Sequence, residues 1–314
     1  MPTHVRDAAL LDVARQLRDA GYRFVTITPA SHARVNARSG NEQARTLADV
    51  FGWSRPFSPD LLPPAMLAAL GRADAVEDRG GLLASRVRVS SLGNELFMHS
   101  AYPTGHAGAV FFGPDTYRFA SAIEQWLAST PRLPQRVVDI GCGAGPGGIL
   151  VAKTVARSTV HLVDINDEAL RLARINAALA GAANVSACRS DLLSALDGRF
   201  DLIVANPPYL LDPSRRAYRH GGGALGEGLS LAILETALER LSPGGTLLLY
   251  TGVAVVDGED VFERAFAPRL GNREDIAWQY REMDPDVFGE ELDTEAYGGT
   301  DRIAAVVLTL TKNA

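Results

Sequence analysis

Four consecutive residues, Asn206-Pro207-Pro208-Tyr209, carry the most specific chemistry in the chain. Two prolines rigidify the turn and donate no backbone hydrogen bond. The Asn206 side-chain oxygen and the Pro207 carbonyl can then face one spot. Two acceptors so arranged bind an N–H2 group and aim its nitrogen lone pair at an electrophile. Tyr209 adds an aromatic wall for a planar group or a developing positive charge. A second element is Asp139-Ile140-Gly141-Cys142-Gly143-Ala144-Gly145. Glycines allow a sharp turn and a close approach of backbone to ligand. Alone, such a run is weak, since it also marks nucleotide sites and plain strand–helix turns. Asp139 sharpens it: a phosphate cradle needs no carboxylate there, whereas a cationic ligand group would welcome one. Asp164 follows Asp139 by 25 residues and can accept both hydroxyls of a ribose. Its alternative is a helix cap, for which Asn166 and Asp167 are better placed. Asp191, after Ser190, can accept from an adenine amino group or lie solvated in a turn.

These residues need a scaffold, and the pattern supplies one. From about Val110, strands and helices alternate. Helices are predicted at Asp115–Ser129, Gly148–Ala156, Asp167–Ala180, Leu229–Leu241 and Asp260–Phe266. Strands are predicted at Arg136–Gly141, Val160–Ile165, Val185–Ser190, Asp201–Ala205, Gly245–Thr251, Ile276–Arg281 and Ile303–Leu310. Such alternation predicts an α/β fold with a parallel sheet covered on both faces. Each candidate residue then falls at the carboxyl end of a strand, where ligands bind in these sheets. Residues 1–108 read as a smaller α+β module, and 109–314 as the main domain. In the module, Asp7–Ala20, Glu42–Phe51 and Asp60–Leu70 look helical, and Tyr22–Thr28 alternates like a short strand. Arg86–Ser91 and Glu95–Ser100 form a hairpin around Leu92-Gly93-Asn94. Helices followed by a hairpin fit either a winged-helix-like module or a cap on the main domain. No basic recognition helix stands out.

Composition narrows the function classes. The 314 residues are 46% hydrophobic and 22% charged, which excludes a largely disordered chain. The apolar runs are too short to span a bilayer, and the charged N-terminus lacks a signal-peptide core. A cytoplasmic location is expected. Cys142 and Cys188 form no CxxC, so neither a disulfide framework nor a metal site is expected. The net charge of −6 shows no broad basic footprint for nucleic acid.

The chain resembles the class I S-adenosylmethionine-dependent methyltransferases of the NPPY type, which methylate amide or exocyclic amino nitrogens. The resemblance covers about 110–314. Asp139, Gly141, Gly143 and Gly145 match the first motif of that family, Asp164 the acidic ribose motif, Asp191 the adenine motif and Asn206–Tyr209 the catalytic motif. Pro114-Asp115-Thr116 is similar to the Pro-Asp-Thr of the release-factor glutamine methyltransferases, with Tyr117 where those enzymes have Glu. Leu241-Ser242-Pro243-Gly244-Gly245 is similar to the turn before the fifth strand. The resemblance implies a Rossmann-like sheet of seven strands, the last antiparallel and inserted beside the sixth. It also implies S-adenosyl-L-methionine as cofactor, held by those motif residues together with Thr116, Ile165 and Asn206. The catalytic set is Asn206, Pro207, Pro208 and Tyr209. The activity implied is N-methylation. In-line transfer to a planar nitrogen needs no strong base if the proton leaves afterwards; His220 and Glu227, just beyond the tetrapeptide, are either assisting bases or plain surface-loop residues.

Charge placement suggests the acceptor. Between Met283 and Arg302 lie seven acidic residues and one basic residue. If this stretch joins the sixth and seventh strands, it sits at the substrate edge, where it attracts cations and repels phosphate. A solvated charged loop is the plainer reading. Glu227, Glu290 and Glu291 are the candidate substrate contacts. The expected acceptor is an amino-acid-type nitrogen: a small metabolite, including a cationic guanidino or amino compound, or a protein side chain such as glutamine. The alternative is an exocyclic amino group of ribosomal RNA or DNA, which an Arg cluster at Arg34, Arg38, Arg45 and Arg55 would favour. A homodimer is a further open expectation.

Overall fold

Val, Ile and Leu dominate residues 136–140, 159–164 and 200–205, and all three segments become strands at the centre of one sheet. A computed structural model describes residues 3–213, 216, 218–271 and 273–313. The chain divides into two units. One comprises Met1–Tyr117, Gly143–Pro146 and Glu168–Ala183; the other comprises Arg118–Cys142, Gly147–Asp167 and Asn184–Ala314.

The elements of the first stretch are α1 (Thr3–Asp19), α2 (Pro29–Asn36), α3 (Leu47–Phe51), α4 (Pro64–Ala73) and four short strands. Those strands are β1 (Val76–Arg79), β2 (Leu82–Ser85), β3 (Val87–Leu92) and β4 (Glu95–Ser100). Leu10, Val13, Ala14 and Leu17 of α1 are buried together with Met66, Ala69 and Leu70 of α4. Three departures from the expected pattern have physical causes. Tyr22–Thr28 alternates in burial but forms no regular strand. Side-chain hydroxyls take donors that a ladder would use: the Phe24 N–H donates to Ser91 Oγ and the Thr26 N–H to Tyr117 Oη. The helix expected from Glu42 starts only at Leu47, because Thr46 and Asp49 form a capping box there. The hairpin β1–β2 was not expected. Its turn is Gly80-Gly81, both at positive φ, as a two-residue hairpin loop requires. The hairpin β3–β4 pairs Leu92 with Glu95 around Gly93-Asn94. Both of its strands are buried over almost their whole length, so it is not an exposed wing.

Beyond it run α5 (Pro114–Ser129), β5 (Arg136–Ile140), α6 (Pro146–Thr154), β6 (Thr159–Asp164), α7 (Asp167–Ala180), β7 (Val185–Arg189) and β8 (Phe200–Ala205). The chain closes with α8 (Gly228–Arg240), β9 (Leu241–Val256), β10 (Glu259–Asp260), α9 (Val261–Leu270), β11 (Ile276–Asp284) and β12 (Arg302–Lys312). The sheet order is β11-β12-β9-β8-β5-β6-β7, with the two-residue β10 pairing back on β9. Strands β5 to β9 are parallel, and β12 is antiparallel to both β9 and β11. The seventh strand is thus inserted beside the sixth, as expected. After β5 the chain winds one way through β6 and β7, then returns to β8 on the other side of β5. That reversal is the topological switch point, and it leaves a crevice at the carboxyl ends of β5 and β8. Ile233, Leu234 and Ala237 of α8 and Phe262, Phe266 and Leu270 of α9 bury one sheet face.

Candidate active site

The glycine-rich loop leaves β5 at its carboxyl end. Gly141, Gly143 and Gly145 all have positive φ, a conformation that side chains rarely adopt. Asp139 lies one residue inside β5 and is 2% exposed. Its Oδ2 accepts from the Gly148 N–H at 2.7 Å, so it fixes the start of α6. Burial raises its carboxyl to about 7; the Gly148 N–H opposes this shift and Asp164 adds to it. A Cβ on Gly148 would stand 2.2 Å from Leu162 Cδ2, so only glycine lets α6 approach β6 this closely.

Asp164 ends β6 and is half-buried. Its Oδ1 accepts from the Asn166 N–H at 2.8 Å. Ile165, the next residue, is 49% exposed, an unusual position for a large apolar side chain. Asp191 is exposed two residues beyond β7. The carboxyl ends of β5, β6 and β7 therefore present Asp139, Asp164 and Asp191 along one edge of the sheet.

Asn206 follows the last residue of β8, whose register partners are Ile140 of β5 and Leu249 of β9. It stands at the switch point beside Gly141. Among the described residues its side-chain amide has no hydrogen-bond partner. Pro207 is buried and Pro208 half-buried. Tyr209 is 6% exposed. A Cβ on Gly252 of β9 would meet Tyr209 Cε2 at 2.0 Å. Beneath the turn, a Cβ on Gly226 would meet the Tyr209 carbonyl at 1.9 Å, and one on Gly221 would lie 2.7 Å from Tyr209 Cα. The 219–228 loop, weakly patterned in the sequence, is thus a backbone platform for the tetrapeptide.

The acidic connection lies at the same edge. It follows β11, which runs parallel to β9, and it returns through β12. Phe288, at φ 54°, packs edge-on against Tyr209 with centroids 5.9 Å apart. The Leu211 N–H donates to Tyr297 Oη at 2.9 Å, and Tyr297 is 2% exposed. Glu291 is ion-paired with Arg219. Glu290 is exposed. Glu227 accepts from the backbone N–H groups of Ala224 and Leu225 at 3.1 and 2.8 Å. His220 Nδ1 accepts from the Asp212 N–H at 3.2 Å, so the neutral ring carries its hydrogen on Nε2.

In the other unit, Thr116 is buried in the first turn of α5, where its Oγ1 accepts from the Gly113 N–H at 3.3 Å. Asn176 of α7 was not foreseen. Fully buried, it exchanges hydrogen bonds with the Met98 backbone at 2.8 and 3.0 Å and donates to the Ala144 carbonyl at 2.9 Å, tethering the glycine-rich loop. Its signal in the sequence is an Asn within the apolar face of a helix. Arg34, Arg38 and Arg45 are exposed, but Arg55 is 7% exposed and paired with Asp49. The four therefore make no joint basic patch.

Sheet order and loop set define a Rossmann-like methyltransferase fold. Comparison with known proteins agrees. Residues 122–267 match the Methyltransferase small domain family. A release factor glutamine methyltransferase from Deinococcus radiodurans is 30% identical over 292 residues, covering 88% of this chain and 96% of that protein. One from Koribacter versatilis is 37% identical over 149 residues, 43% of this chain and 53% of its own length. A ribosomal protein uL3 glutamine methyltransferase from Xanthomonas campestris is 36% identical over 143 residues, 42% of this chain and 46% of its own. The chain thus spans about half the length of the latter two. It belongs to the release factor glutamine methyltransferase family, within the class I S-adenosylmethionine-dependent N-methyltransferases.

Proposed function

We propose that the chain methylates the side-chain amide nitrogen of a glutamine in a protein, using S-adenosyl-L-methionine. The observation that carries this reading is the Asn206 amide, without a hydrogen-bond partner among the described residues, at the carboxyl end of β8 and followed by two prolines and a buried Tyr209. A primary amide is planar and carries the N–H2 that two convergent acceptors need.

The residues present fit the cofactor. Ile165 offers an exposed apolar surface for a purine face, and Asp164 and Asp191 offer acceptors for ribose hydroxyls and an amino group. The buried Asp139, desolvated and raised to about 7, favours a nearby cation. Gly141, Gly143 and Gly145 allow close approach, and Thr116 secures the first turn of α5. When bound, S-adenosylmethionine supplies an electrophilic methyl group on a sulfonium.

The chain's own work is positioning and desolvation. Asn206 Oδ1 and the Pro207 carbonyl accept the two amide hydrogens and turn the nitrogen toward the methyl. Both acceptors also meet the positive charge that grows on nitrogen during attack. Tyr209 walls the amide plane. The surplus proton leaves the nitrogen for solvent after transfer. Neither candidate base is disposed to take it: Glu227 is occupied by two backbone donors, and His220 already accepts at Nδ1. The acceptor is a protein, with residues 1–108 as its recognition module and a cytoplasmic setting. The acidic 284–301 edge opposes a nucleic-acid acceptor.

The test uses purified chain, labelled cofactor, and separate pools of metabolites, soluble proteins and total RNA. Label on a protein glutamine, located by mass spectrometry and lost in Asn206→Ala, is expected. Label confined to RNA or to a metabolite would overturn the reading.

A further inference from the structure

The N-terminal unit buries a cation that pairs with no acid among the described residues. Arg88, on β3, is 5% exposed. Its Nε donates to the Gly52 carbonyl at 2.9 Å, and its buried Nη2 has no partner. Among the described residues it makes no ion pair with an acid. Its guanidinium stands over the Phe24 ring, 5.7 Å from the centroid. Burial lowers its pKa to about 10.

His99 is the direct ladder partner of Arg88 across β3–β4, so both side chains leave the same face. It is 0% exposed. Its Nε2 bonds Ser90 Oγ at 2.7 Å, and its buried Nδ1 makes no well-formed hydrogen bond among the described residues, only a weak interaction with the Ser100 backbone. Burial and the Arg88 charge hold the ring neutral against a pull from the Ser100 backbone. A third orphaned nitrogen, His32 Nδ1, lies in the same unit on a ring packed against Tyr102 and Trp53.

Buried polar groups are normally satisfied, so each exception calls for an account. Water could satisfy the donors but would leave the charge uncompensated, and an unpaired buried charge is strongly destabilising. An anion would supply both the acceptor and the opposing charge. A guanidinium fork matches a planar two-oxygen group. One cation beside a neutral histidine balances one negative charge, which suits a carboxylate and leaves a phosphate dianion in excess.

We propose that the Arg88–His99 face of the β3–β4 hairpin is a binding site for a small carboxylate. Arg88 supplies the charge and the Nη2 donor. His99 donates from Nδ1 while Nε2 accepts from the Ser90 hydroxyl. Ser90 also bonds Thr26, whose N–H is held by Tyr117, the residue after Thr116. Occupancy therefore bears on the first turn of α5. The carboxylate is either free or the acidic side chain of a bound polypeptide, and the site does not depend on the glutamine reading.

The full chain is titrated with sodium acetate, against sodium chloride at matched ionic strength. Thermal midpoint and the histidine nitrogen resonances are followed. A saturable rise in the midpoint and a shift of the His99 Nδ1 signal are expected. Both should vanish in Arg88→Met, and binding should weaken several-fold in Arg88→Lys, which keeps the charge without the fork. Repeating the titration with N-acetylglutamyl amide separates the sources. Tighter binding than acetate assigns the site to an acidic side chain, weaker binding to a free carboxylate. A chain that responds to acetate no more than to chloride overturns the proposal, as does an undiminished response in Arg88→Met. Should that variant not fold, the resonance titration of the unaltered chain decides.

Discussion

The Tyr209 ring meets the Phe288 ring edge-on, with planes 72° apart and centroids separated by 5.9 Å. One ring belongs to the tetrapeptide after β8, the other to the acidic connection before β12. Phe288 holds a left-handed backbone, φ 54°, that a bulky residue adopts only at a cost of about 1–3 kcal/mol. That cost is offset where the ring's position matters. Phe288→Ala should lower kcat/KM for the protein acceptor by up to about tenfold, the scale of an aromatic pair at about 0.5–1.5 kcal/mol. Cofactor affinity should be unchanged. Steady-state kinetics with varied acceptor checks this, and unaltered kinetics would remove the positioning role.

Gly252 fixes the other side of the same ring. A methyl there would stand 2.0 Å from Tyr209 Cε2, far inside contact distance. The strand backbone is paired with β12 through Ala305, so the ring must give way. Gly252→Ala should cost about 1–3 kcal/mol of stability, the usual price of overpacking. It should also abolish most methyl transfer while S-adenosylhomocysteine binding persists. Calorimetric titration beside an activity assay separates the two effects; full activity would show that the ring is not held there.

These two neighbours mark the limit of what the sequence discloses. The placement of Asn206–Tyr209, Asp139 and Asp164 at or near the carboxyl ends of strands was legible from residue type and strand pattern. The alternation of strands and helices was legible because their periods differ, whereas the place of the seventh strand beside the sixth was implied only by the family resemblance. Gly252 and Phe288 were not legible, since their meaning arises only when β9 and the 285–301 connection fold against Tyr209. Glu227 and Glu291 read as free acids from the sequence, and folding engages both, one with backbone N–H groups and one with Arg219. Tyr22–Thr28 alternates correctly for a strand, but periodicity cannot reveal that Ser91 and Tyr117 hydroxyls intercept its donors.

Asp139 predicts a pH dependence. Its folded carboxyl is raised to about 7, mainly by burial, above its ordinary value of 3.8. The protonated form is therefore favoured in the fold. Its contribution to stability is full below the ordinary value and lost as pH rises through about 7. A cationic cofactor favours the ionised form, so affinity for S-adenosylmethionine should strengthen between about pH 6 and about pH 8. Asp139→Asn should bind on the order of tenfold more weakly at the upper pH, the scale of a charge-assisted bond, with little pH dependence. Its apo form should be at least as stable there as the wild type. Titration calorimetry across that range is the check, and a flat wild-type profile would sink the idea.

The two neighbouring acids of the connection separate electrostatic attraction from architecture. Glu290 is exposed, whereas Glu291 pairs with Arg219, the first residue of the platform under Tyr209. If the acidic edge worked only by attracting cations, Glu290→Gln and Glu291→Gln would act alike. A neutral glutamine acceptor gains nothing from that attraction. Glu290→Gln should therefore leave KM within about twofold, since an exposed charge contributes little. Glu291→Gln leaves the half-buried Arg219 without its partner and loosens the connection that carries Phe288 and Tyr297. It should reduce kcat/KM and raise protease cleavage within 285–301. Measuring both variants under one salt series decides the point: equal, salt-sensitive losses would return the edge to an electrostatic role and argue for a cationic acceptor.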